Sequence, residues 1–207
     1  MIGATGASSD AKAFAAAGTT EKLPGITIRS ARPADNARCQ QIAVAAWERI
    51  HTERRRLLGD AVYDQLFADW RPRKAAAIAQ AFAQRLDCIL VACETGESSS
   101  GRGAADEAQS VGFVTFRLDR STALGTITDN AVDPAWQGRG IATALYRRAL
   151  DRFRAEGMRV ASVGTGLDAG HAPACAAYRK VGFVLEVPTV TMYQQLSPPE
   201  TSVRGGE

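Results

Sequence analysis

The spacing of apolar residues changes repeatedly along this chain between two and about 3.6 residues, the periods of a strand and a helix. Apolar or alternating runs predict strands over 26–29, 87–93, 111–118, 125–132 and 159–164, with a final hairpin of 183–187 and 190–196 around Pro188. Helical stripes predict three helices between the first two strands, one over 141–156 and one that opens at Pro173. Helices and strands therefore interleave, which is typical of an α/β domain.

Proline, glycine and the apolar stripes set the expected helix ends and inward faces. The first helix starts near Pro33 and ends at Gly59, the second covers 60–68, and the third starts at Pro72. Gly157 suits the end of the helix over 141–156, and Gly182 suits the end of the last helix. The residues expected to face inward are Val62 and Leu66, then Ile78, Phe82 and Leu86, and then Ile141, Leu145, Ala149 and Phe153.

Three segments lack this periodicity. Residues 1–25 are rich in Ala, Gly, Ser and Thr and read as a mobile tail, with a short helix near residues 12–17. Residues 94–110 are polar and rich in Gly and Ser, which favours a mobile surface insertion over a functional lid. Residues 197–207 form a second loose tail. One domain is thus expected over residues 26–196.

Composition narrows the class of protein. The 207 residues are 45% hydrophobic and 23% charged, with a net charge of only +3, which is normal for a soluble domain and too balanced to predict nucleic-acid binding. The chain has no apolar run of the roughly 18 residues that a membrane helix needs. Cys88 and Cys93 lie too far apart along one strand to form a disulfide, which favours a reduced, cytoplasmic setting. Two histidines cannot build a His-based metal cluster, and no metal is expected.

A glycine-rich turn, Gln137-Gly138-Arg139-Gly140, joins the fourth strand to the long helix that follows. Glycines allow a close backbone approach, and the helix start offers free N–H groups and positive potential to a phosphate. Arg139 adds a guanidinium that can pair with phosphate oxygens. A plain tight connection is equally consistent with the turn alone. The Rossmann pattern fails at Thr143, and no P-loop Lys-Ser/Thr follows.

A second segment changes that balance, because Ala174 to Phe183 reads A-C-A-A-Y-R-K-V-G-F. The chain resembles the GNAT superfamily of N-acetyltransferases, whose acyl-CoA loop is Q/R-x-x-G-x-G/A and whose later segment is A-x-x-x-Y-x-K-x-G-F. The close resemblance covers residues 111–196, and a looser one covers 26–93. It implies a three-layer acyl-CoA N-acyltransferase fold with a mixed, mostly antiparallel central sheet flanked by helices, whose fourth and fifth strands splay apart.

The resemblance also implies roles for single residues. Acetyl-CoA would be the co-substrate, held by the backbone around the glycine turn and by strand-like pairing along the end of the fourth strand. His171 stands where many members have an Asn that touches the coenzyme; a histidine that only bonds its own turn is equally plausible. The candidate coenzyme-binding residues are Ala131, Val132, Gln137, Gly138, Arg139, Gly140, Ile141, Ala142, Thr143 and His171.

Tyr178 is the candidate general acid for the departing thiolate, since a phenol is a plausible proton donor to sulfur. The general base is less evident. Many members place a Glu on the fourth strand, and that position is Thr126 here. Asp129 and Asn130 lie near the bulge of that strand and could orient the amine or a water, although a satisfied bulge pair fits equally well.

Other candidates favour structural roles. The run of charges from Glu53 to Arg56 fits a solvated face better than an anion site. Trp47 and Trp70 fit the core better than a pocket wall. Cys175 fits a small packing residue better than a nucleophile, because no positioned Cys-His or Ser-His pair is evident.

The sequence therefore predicts an N-acetyltransferase that passes acetyl from acetyl-CoA to a primary amine by direct attack within a ternary complex. The alternative is a catalytically idle acyl-CoA-binding sensor or docking module, motivated by Thr126. A nucleotide-binding regulatory domain is a weaker third hypothesis. The acceptor, a small molecule or a peptide, stays open, as does a homodimer.

Overall fold

The computed structural model describes residues 23–95 and 109–196 of the chain. The predicted helix near 12–17, most of the 94–110 segment and the tail from 197 lie outside these residues. The five strands follow their order in the sequence across one sheet: β1 Ile26–Ser30, β2 Ile89–Glu94, β3 Ser110–Asp119, β4 Leu124–Val132 and β5 Val160–Val163. Only β4 and β5 are parallel, and the other neighbours are antiparallel. The predicted mixed, mostly antiparallel sheet is confirmed.

Helices cover both faces of the sheet. They are α1 Asn36–Leu58, α2 Asp60–Phe67, α3 Trp70–Gln84, α4 Ile141–Ala155 and α5 Ala172–Lys180. Val91 and Phe113 face the core that α1 and α3 form, whereas their neighbours Leu90 and Val114 face the core of α4. Successive strand residues point to opposite faces, so both faces must be apolar. This two-sided burial explains why β2 and β3 read as continuous apolar runs.

The central part of α4 packs as its stripe predicts. Ile141, Leu145, Ala149 and Phe153 are all buried, and Gly157 follows the helix with φ of +76°. The Phe153 ring lies so close to β4 that a Cβ on Gly125 would come within 2.5 Å of it. Gly125 is therefore required for the close approach of helix and strand.

The predicted final hairpin of 183–187 and 190–196 is wrong, because residues 183–196 contain no strand. Its apolar side chains are exposed, with Leu185 at 96% and Val187 at 90%. An alternating segment becomes a strand only when it pairs with a sheet edge, and the sheet ends at β5. The predicted end of the last helix at Gly182 is confirmed, because Gly182 has φ of +101°. The Phe183 ring that follows lies 5.9 Å from that of Tyr178, measured between ring centroids.

Three smaller expectations also differ. A 3₁₀ turn over Leu86–Cys88 delays β2 to Ile89. Helix α3 starts at Trp70, with Pro72 inside its first turn, where the missing N–H costs nothing. Leu66 is 38% exposed, and Tyr63 is the buried residue of α2.

The described residues hold no helix that is both long and apolar enough to cross a membrane. Within the same ranges no group of three or more His, Cys, Asp or Glu side chains is arranged to hold a metal ion. Cys39, Cys88, Cys93 and Cys175 are all free thiols.

An aromatic cluster ties α1, α2 and α3 together around His51. The imidazole is 4% exposed and stacks on Trp70 with ring centroids 3.9 Å apart. Its Nδ1 lies 3.0 Å from the hydroxyl of Tyr63. Burial, together with the charges of Arg54, Arg71 and Lys74, lowers the pKa of His51 to about 4, while Glu48 opposes this shift. The imidazole is therefore neutral at physiological pH.

His51 should make stability depend on pH. Its folded pKa lies below the unfolded value of 6.5, so its contribution is complete above pH 6.5 and is lost as the pH falls towards 4. We expect the free energy of unfolding to drop by about 1–2 kcal/mol over this range, after a discount for water in the groove beside it. Urea unfolding at pH 7.5, 6 and 4.5 measures this loss. His51→Phe should flatten it, and His171→Asn, at the other histidine, should not.

Candidate active site

A cleft opens where β4 and β5 separate. The two strands pair from Leu124 opposite Val160 to Ile127 opposite Val163. Beyond that point β4 continues to Val132, paired with β3 but no longer with β5. The cleft has a volume of about 460 Å³ and is lined by α1, the end of β4, the glycine turn, the loop after β5 and α5. Such a volume suits a substantial ligand.

The glycine turn closes one end of this cleft with free backbone donors. Gly138 has φ of +78°, and Gly140 has φ of +81°, so both adopt the left-handed conformation that favours glycine. The first N–H of α4 that bonds within the described chain belongs to Ala144, which donates to the Gly140 carbonyl at 3.0 Å. The N–H groups of residues 138–143 are left for an anion, so the turn fits a pyrophosphate.

Asp133 anchors this turn to the rest of the domain. Its Oδ1 accepts a hydrogen bond from the Ala135 N–H at 2.9 Å, while its Oδ2 pairs with the guanidinium of Arg38 on α1. The Arg38 Nε also donates to the Ser110 carbonyl on β3, at 3.2 Å. Helix, sheet and turn are thereby held in one arrangement before any ligand binds.

The predicted coenzyme-binding residues are brought together, with one difference. All of them line the cleft except Arg139. The Arg139 guanidinium lies 4.5 Å from the ring centroid of Trp136 and donates to the Ala135 carbonyl at 3.3 Å. The Gln137 side chain donates to the Val132 carbonyl at 3.0 Å, which ties the turn to the end of β4.

A bulge in β4 lies at the middle of the cleft. Val114 faces Asn130 and Phe116 faces Ile127, so Thr115 on β3 stands opposite two residues, Thr128 and Asp129. The fully buried Thr115 hydroxyl lies 2.7 Å from that of Thr128 and accepts from the Asp129 N–H at 2.9 Å. One side chain thus satisfies the irregular backbone and determines where Asp129 lies.

The carboxylate of Asp129 is paired at one oxygen. Its Oδ1 lies 2.5 Å from the Nζ of Lys74 on α3. Asp129 also lines the cleft, together with Trp47, which faces it from α1. A charged group is therefore held beside an aromatic wall at the end of the cleft that lies away from the glycine turn.

The Asn130 side chain links the hydroxyls of two neighbouring tyrosines that line the cleft. Its Nδ2 donates to the Tyr178 hydroxyl oxygen at 2.8 Å, and its Oδ1 accepts from the Tyr146 hydroxyl at 2.6 Å. Burial raises the pKa of Tyr178, although the hydrogen bond from Asn130 opposes this. The Tyr178 phenol therefore keeps its proton at neutral pH.

The position where many GNAT members carry a Glu holds a hydroxyl pair instead. The Thr126 Oγ1 lies 2.9 Å from the Oγ of Ser162 on β5. This pair lies where β4 and β5 are still joined. It supplies hydrogen bonds between strands and no group that could take a proton at neutral pH.

His171 lies on the opposite wall of the cleft, just before α5, and Cys175 lies behind it on α5. The Nδ1 of His171 is 2.7 Å from Oδ2 of Asp168, three residues earlier, so the imidazole is bonded to its own turn while it lines the cleft. The Cys175 thiol donates to the Gly166 carbonyl at 3.4 Å and is not a lining residue. This geometry supports a packing role for Cys175.

The remaining candidate residues lie in three places: the core, the wall of the cleft and the surface. Trp70 is buried, whereas Trp47 is a wall of the cleft. Arg55 pairs with Asp60 and Asp64, and Arg56 pairs with Glu53, all at the surface. The run of charges is therefore a solvated face.

The sequence matches the Acetyltransferase (GNAT) family over residues 48–183, about two thirds of its 207 residues. The chain therefore belongs to this family and is an acyltransferase. A comparison of the sequence with curated proteins finds no match.

Solved structures share the fold. Ard1 from Thermoplasma volcanium is 20% identical with a TM-score of 0.55, over 79% of this chain and 85% of that protein. A GCN5-related N-acetyltransferase from Sphaerobacter thermophilus is 22% identical with a TM-score of 0.52; the match covers 80% of this chain but only 43% of that protein. An aminoglycoside acetyltransferase from an uncultured soil metagenomic sample is 17% identical with a TM-score of 0.50, over 84% and 98% of the two chains.

Sequence reasoning missed three residues of the site: Lys74, Thr115 and Tyr146. Tyr146 lies one position after the inward stripe of α4, and a tyrosine there signals a buried hydroxyl that needs a partner. Thr115 stands within an otherwise apolar strand, which is a similar signal. Lys74 gives no comparable signal, since a lysine on a helix is normally exposed.

Thr115→Val should test the bulge. The substitution keeps the shape of the side chain but leaves the Asp129 N–H without its acceptor, so we expect a loss of about 1–3 kcal/mol in the free energy of unfolding. Urea denaturation at pH 7.5 measures it. Thr115→Ser is the matched control, because it keeps the hydroxyl; a Ser variant as unstable as the Val variant would contradict this role for the hydroxyl.

Proposed function

We propose that the protein transfers the acetyl group of acetyl-CoA to a primary amine by direct attack in a ternary complex. The observation that carries the proposal is the cleft itself. Free backbone donors stand at one end, a protonated tyrosine stands in the middle, and a carboxylate stands at the other end. Membership of the GNAT family supports the same reaction.

The chain's own groups account for holding the co-substrate. The N–H groups of residues 138–143 would bind the pyrophosphate, where a negative charge also meets the positive end of α4. Ala131 and Val132 line the cleft beyond the end of β5 and would run alongside the pantetheine arm. Acetyl-CoA would supply the acetyl group as a thioester, whose carbonyl then lies within reach of the middle of the cleft.

Protons must balance in this transfer. An ammonium acceptor loses one proton before its nitrogen attacks and a second as the amide forms, while the departing sulfur gains one. Tyr178 is the proposed donor to sulfur, because its oxygen already accepts from Asn130 and its own proton remains available. Asp129, with Asn130 beside it, is the proposed group that orients the amine or the water that takes its protons.

A second candidate is an acyl-CoA-binding module without turnover. The hydroxyl pair of Thr126 and Ser162, which stands where many GNAT members carry a Glu, favours it. The two functions differ in one measurable respect, since only the enzyme releases free CoA thiol when an amine is added.

An assay with a short panel of amines would identify the class of acceptor. An aminoglycoside, a polyamine, an amino acid and a short peptide with a free N-terminus present different primary amines to the same cleft. The structural likeness to an aminoglycoside acetyltransferase justifies the first probe. A homodimer and a cytoplasmic location remain predictions, as do the domain limits of 26–196.

Gly140→Asp should abolish binding of acetyl-CoA. It places a carboxylate at the turn where the pyrophosphate would bind; a Cβ at Gly140 meets only Leu23 at 3.6 Å, so the cost of the side chain is the backbone strain at its positive φ. Titration calorimetry should show wild-type binding near micromolar, about −8 kcal/mol, and none in the variant.

Gly157→Asp is the matched control, because it puts the same side chain at a positive φ at the far end of α4. It should bind acetyl-CoA like the wild type. A folded wild type that does not bind acetyl-CoA would exclude both the enzyme and the binding module.

Tyr178→Phe should lower kcat by about 100-fold or more, since the sulfur then leaves without its proton donor. Release of CoA thiol, followed with a thiol reagent and the amine panel, measures it. Binding of acetyl-CoA should stay within a few-fold. Cys175→Ala is the control and should keep turnover. Full loss in Cys175→Ala would point to a covalent acyl-enzyme and overturn direct attack.

A further inference from the structure

A buried cation that neither the sequence analysis nor the family match assigns lies behind Asp129 and Trp47, at the end of the cleft away from the glycine turn. The Lys74 side chain is only 8% exposed, although α3 lies at the outside of the domain. Its Nζ lies 3.3 Å from the ring centroid of Trp47 and 2.5 Å from the Oδ1 of Asp129. Its neighbour on the same helix, Arg71, pairs with Glu48 at the surface in the ordinary way.

Packing alone does not explain this lysine. Burial lowers the pKa of Lys74, which is the sign of a charge held where water solvates it poorly, and Asp129 compensates in part. Replacing a buried ion pair by apolar side chains is often neutral or stabilising. Because one member of this pair, Asp129, lines the cleft, the pair is better explained by the chemistry of the cleft.

Three polar groups of Asp129 have hydrogen-bond partners, and its second carboxylate oxygen faces the cleft. Thr115 binds its backbone N–H and also donates to its carbonyl at 3.3 Å. Lys74 binds Oδ1. In the described part of the chain Oδ2 has no hydrogen-bond partner, and the side chain is 23% exposed towards the cleft. An amine that enters past Trp47 would meet this second oxygen.

We propose that Lys74 is a positioning residue for the acceptor amine, acting through Asp129. It holds the carboxylate with Oδ2 towards the amine, and its positive charge disfavours a second cation nearby. The bound ammonium then passes its proton more easily to the water that Asp129 orients, and the neutral amine becomes the nucleophile. This inference rests on the proposed function. The Lys74–Asp129 pair would then promote the loss of the amine's proton electrostatically, in place of a general base at position 126.

Other charged and titratable groups lie on the elements around Asp129. On α1, His51 is neutral, and Arg49 is exposed and donates to the Gly170 carbonyl at 3.0 Å. On the opposite wall, His171 is bonded to Asp168, and Tyr178 is protonated. Among these groups only Lys74 both carries a charge and contacts Asp129, so its removal should have the largest effect.

The test uses the full chain, with whichever of kanamycin, spermidine and tri-alanine gives the highest wild-type kcat/KM. At saturating amine, kcat is measured from pH 6 to 10 for the wild type, Lys74→Gln and Lys74→Arg, because the pH profile of kcat reports ionisations in the bound complex. In Lys74→Gln the pH at which kcat levels off should rise by about one unit or more, and kcat at pH 7.5 should fall by about 10-fold or more. Lys74→Arg keeps the charge and should keep the wild-type profile.

Two controls separate this role from a merely structural one. Arg71→Gln removes another cation of α3 and should leave the pH profile unchanged. The affinity for acetyl-CoA should stay within about two-fold in Lys74→Gln, because the lysine lies at the other end of the cleft.

A double-mutant cycle tests whether Lys74 acts through Asp129. In the Asp129→Asn background, Lys74→Gln should cost little more, since the group that it positions has already lost its charge. A single substitution leaves one buried charge unpaired, which could unfold the variant. The double variant Lys74→Met/Asp129→Asn removes both charges and avoids this problem. This double variant should show the same loss of kcat as Asp129→Asn.

The outcomes are distinct. An unchanged pH profile in Lys74→Gln, or losses that simply add in the cycle, would overturn the role of Lys74 while the enzyme itself stands. No wild-type turnover with any of the three amines, despite acetyl-CoA binding, would overturn the proposed transfer to an amine and this inference with it.

Discussion

The separation of β4 from β5 after Ile127 is the constraint on which the site depends. Parallel pairing joins the strands up to Val163, and beyond that point β4 is bonded only to β3. The bulge opposite Thr115 re-aims β4 where the strands part. Asp129, in the bulge, and Asn130, just after it, therefore face a cleft instead of a neighbouring strand, and the turn that follows β4 closes one side of this cleft.

Two ion pairs fix the positions of the two ends of the cleft. Arg38 and Asp133 join α1 to the glycine turn, and Lys74 and Asp129 join α3 to the bulge. Both pairs lie between helices of one layer and the strand that opens. Since a buried or half-buried ion pair keeps a defined geometry, the ends of the cleft are set independently of any ligand.

Much of this could be predicted from local patterns, and some could not. The inward stripe of α4 and the helix ends at Gly157 and Gly182 are local properties, and they occur as predicted. The hairpin of 183–196 failed because alternation predicts a strand only if an edge is there to pair with it. Leu66 failed for a similar reason, since two inward faces were possible for so short a helix.

The sequence by itself determined the family, the order of the elements and the chemistry of the glycine turn, because each rests on residues close together in the chain. Only the tertiary structure decided the partners of the reacting groups. Lys74 and Asp129 are 55 positions apart, and Tyr178 meets Asn130 across 48. Such contacts depend on how helices pack across the sheet, and no local period of apolar residues encodes them.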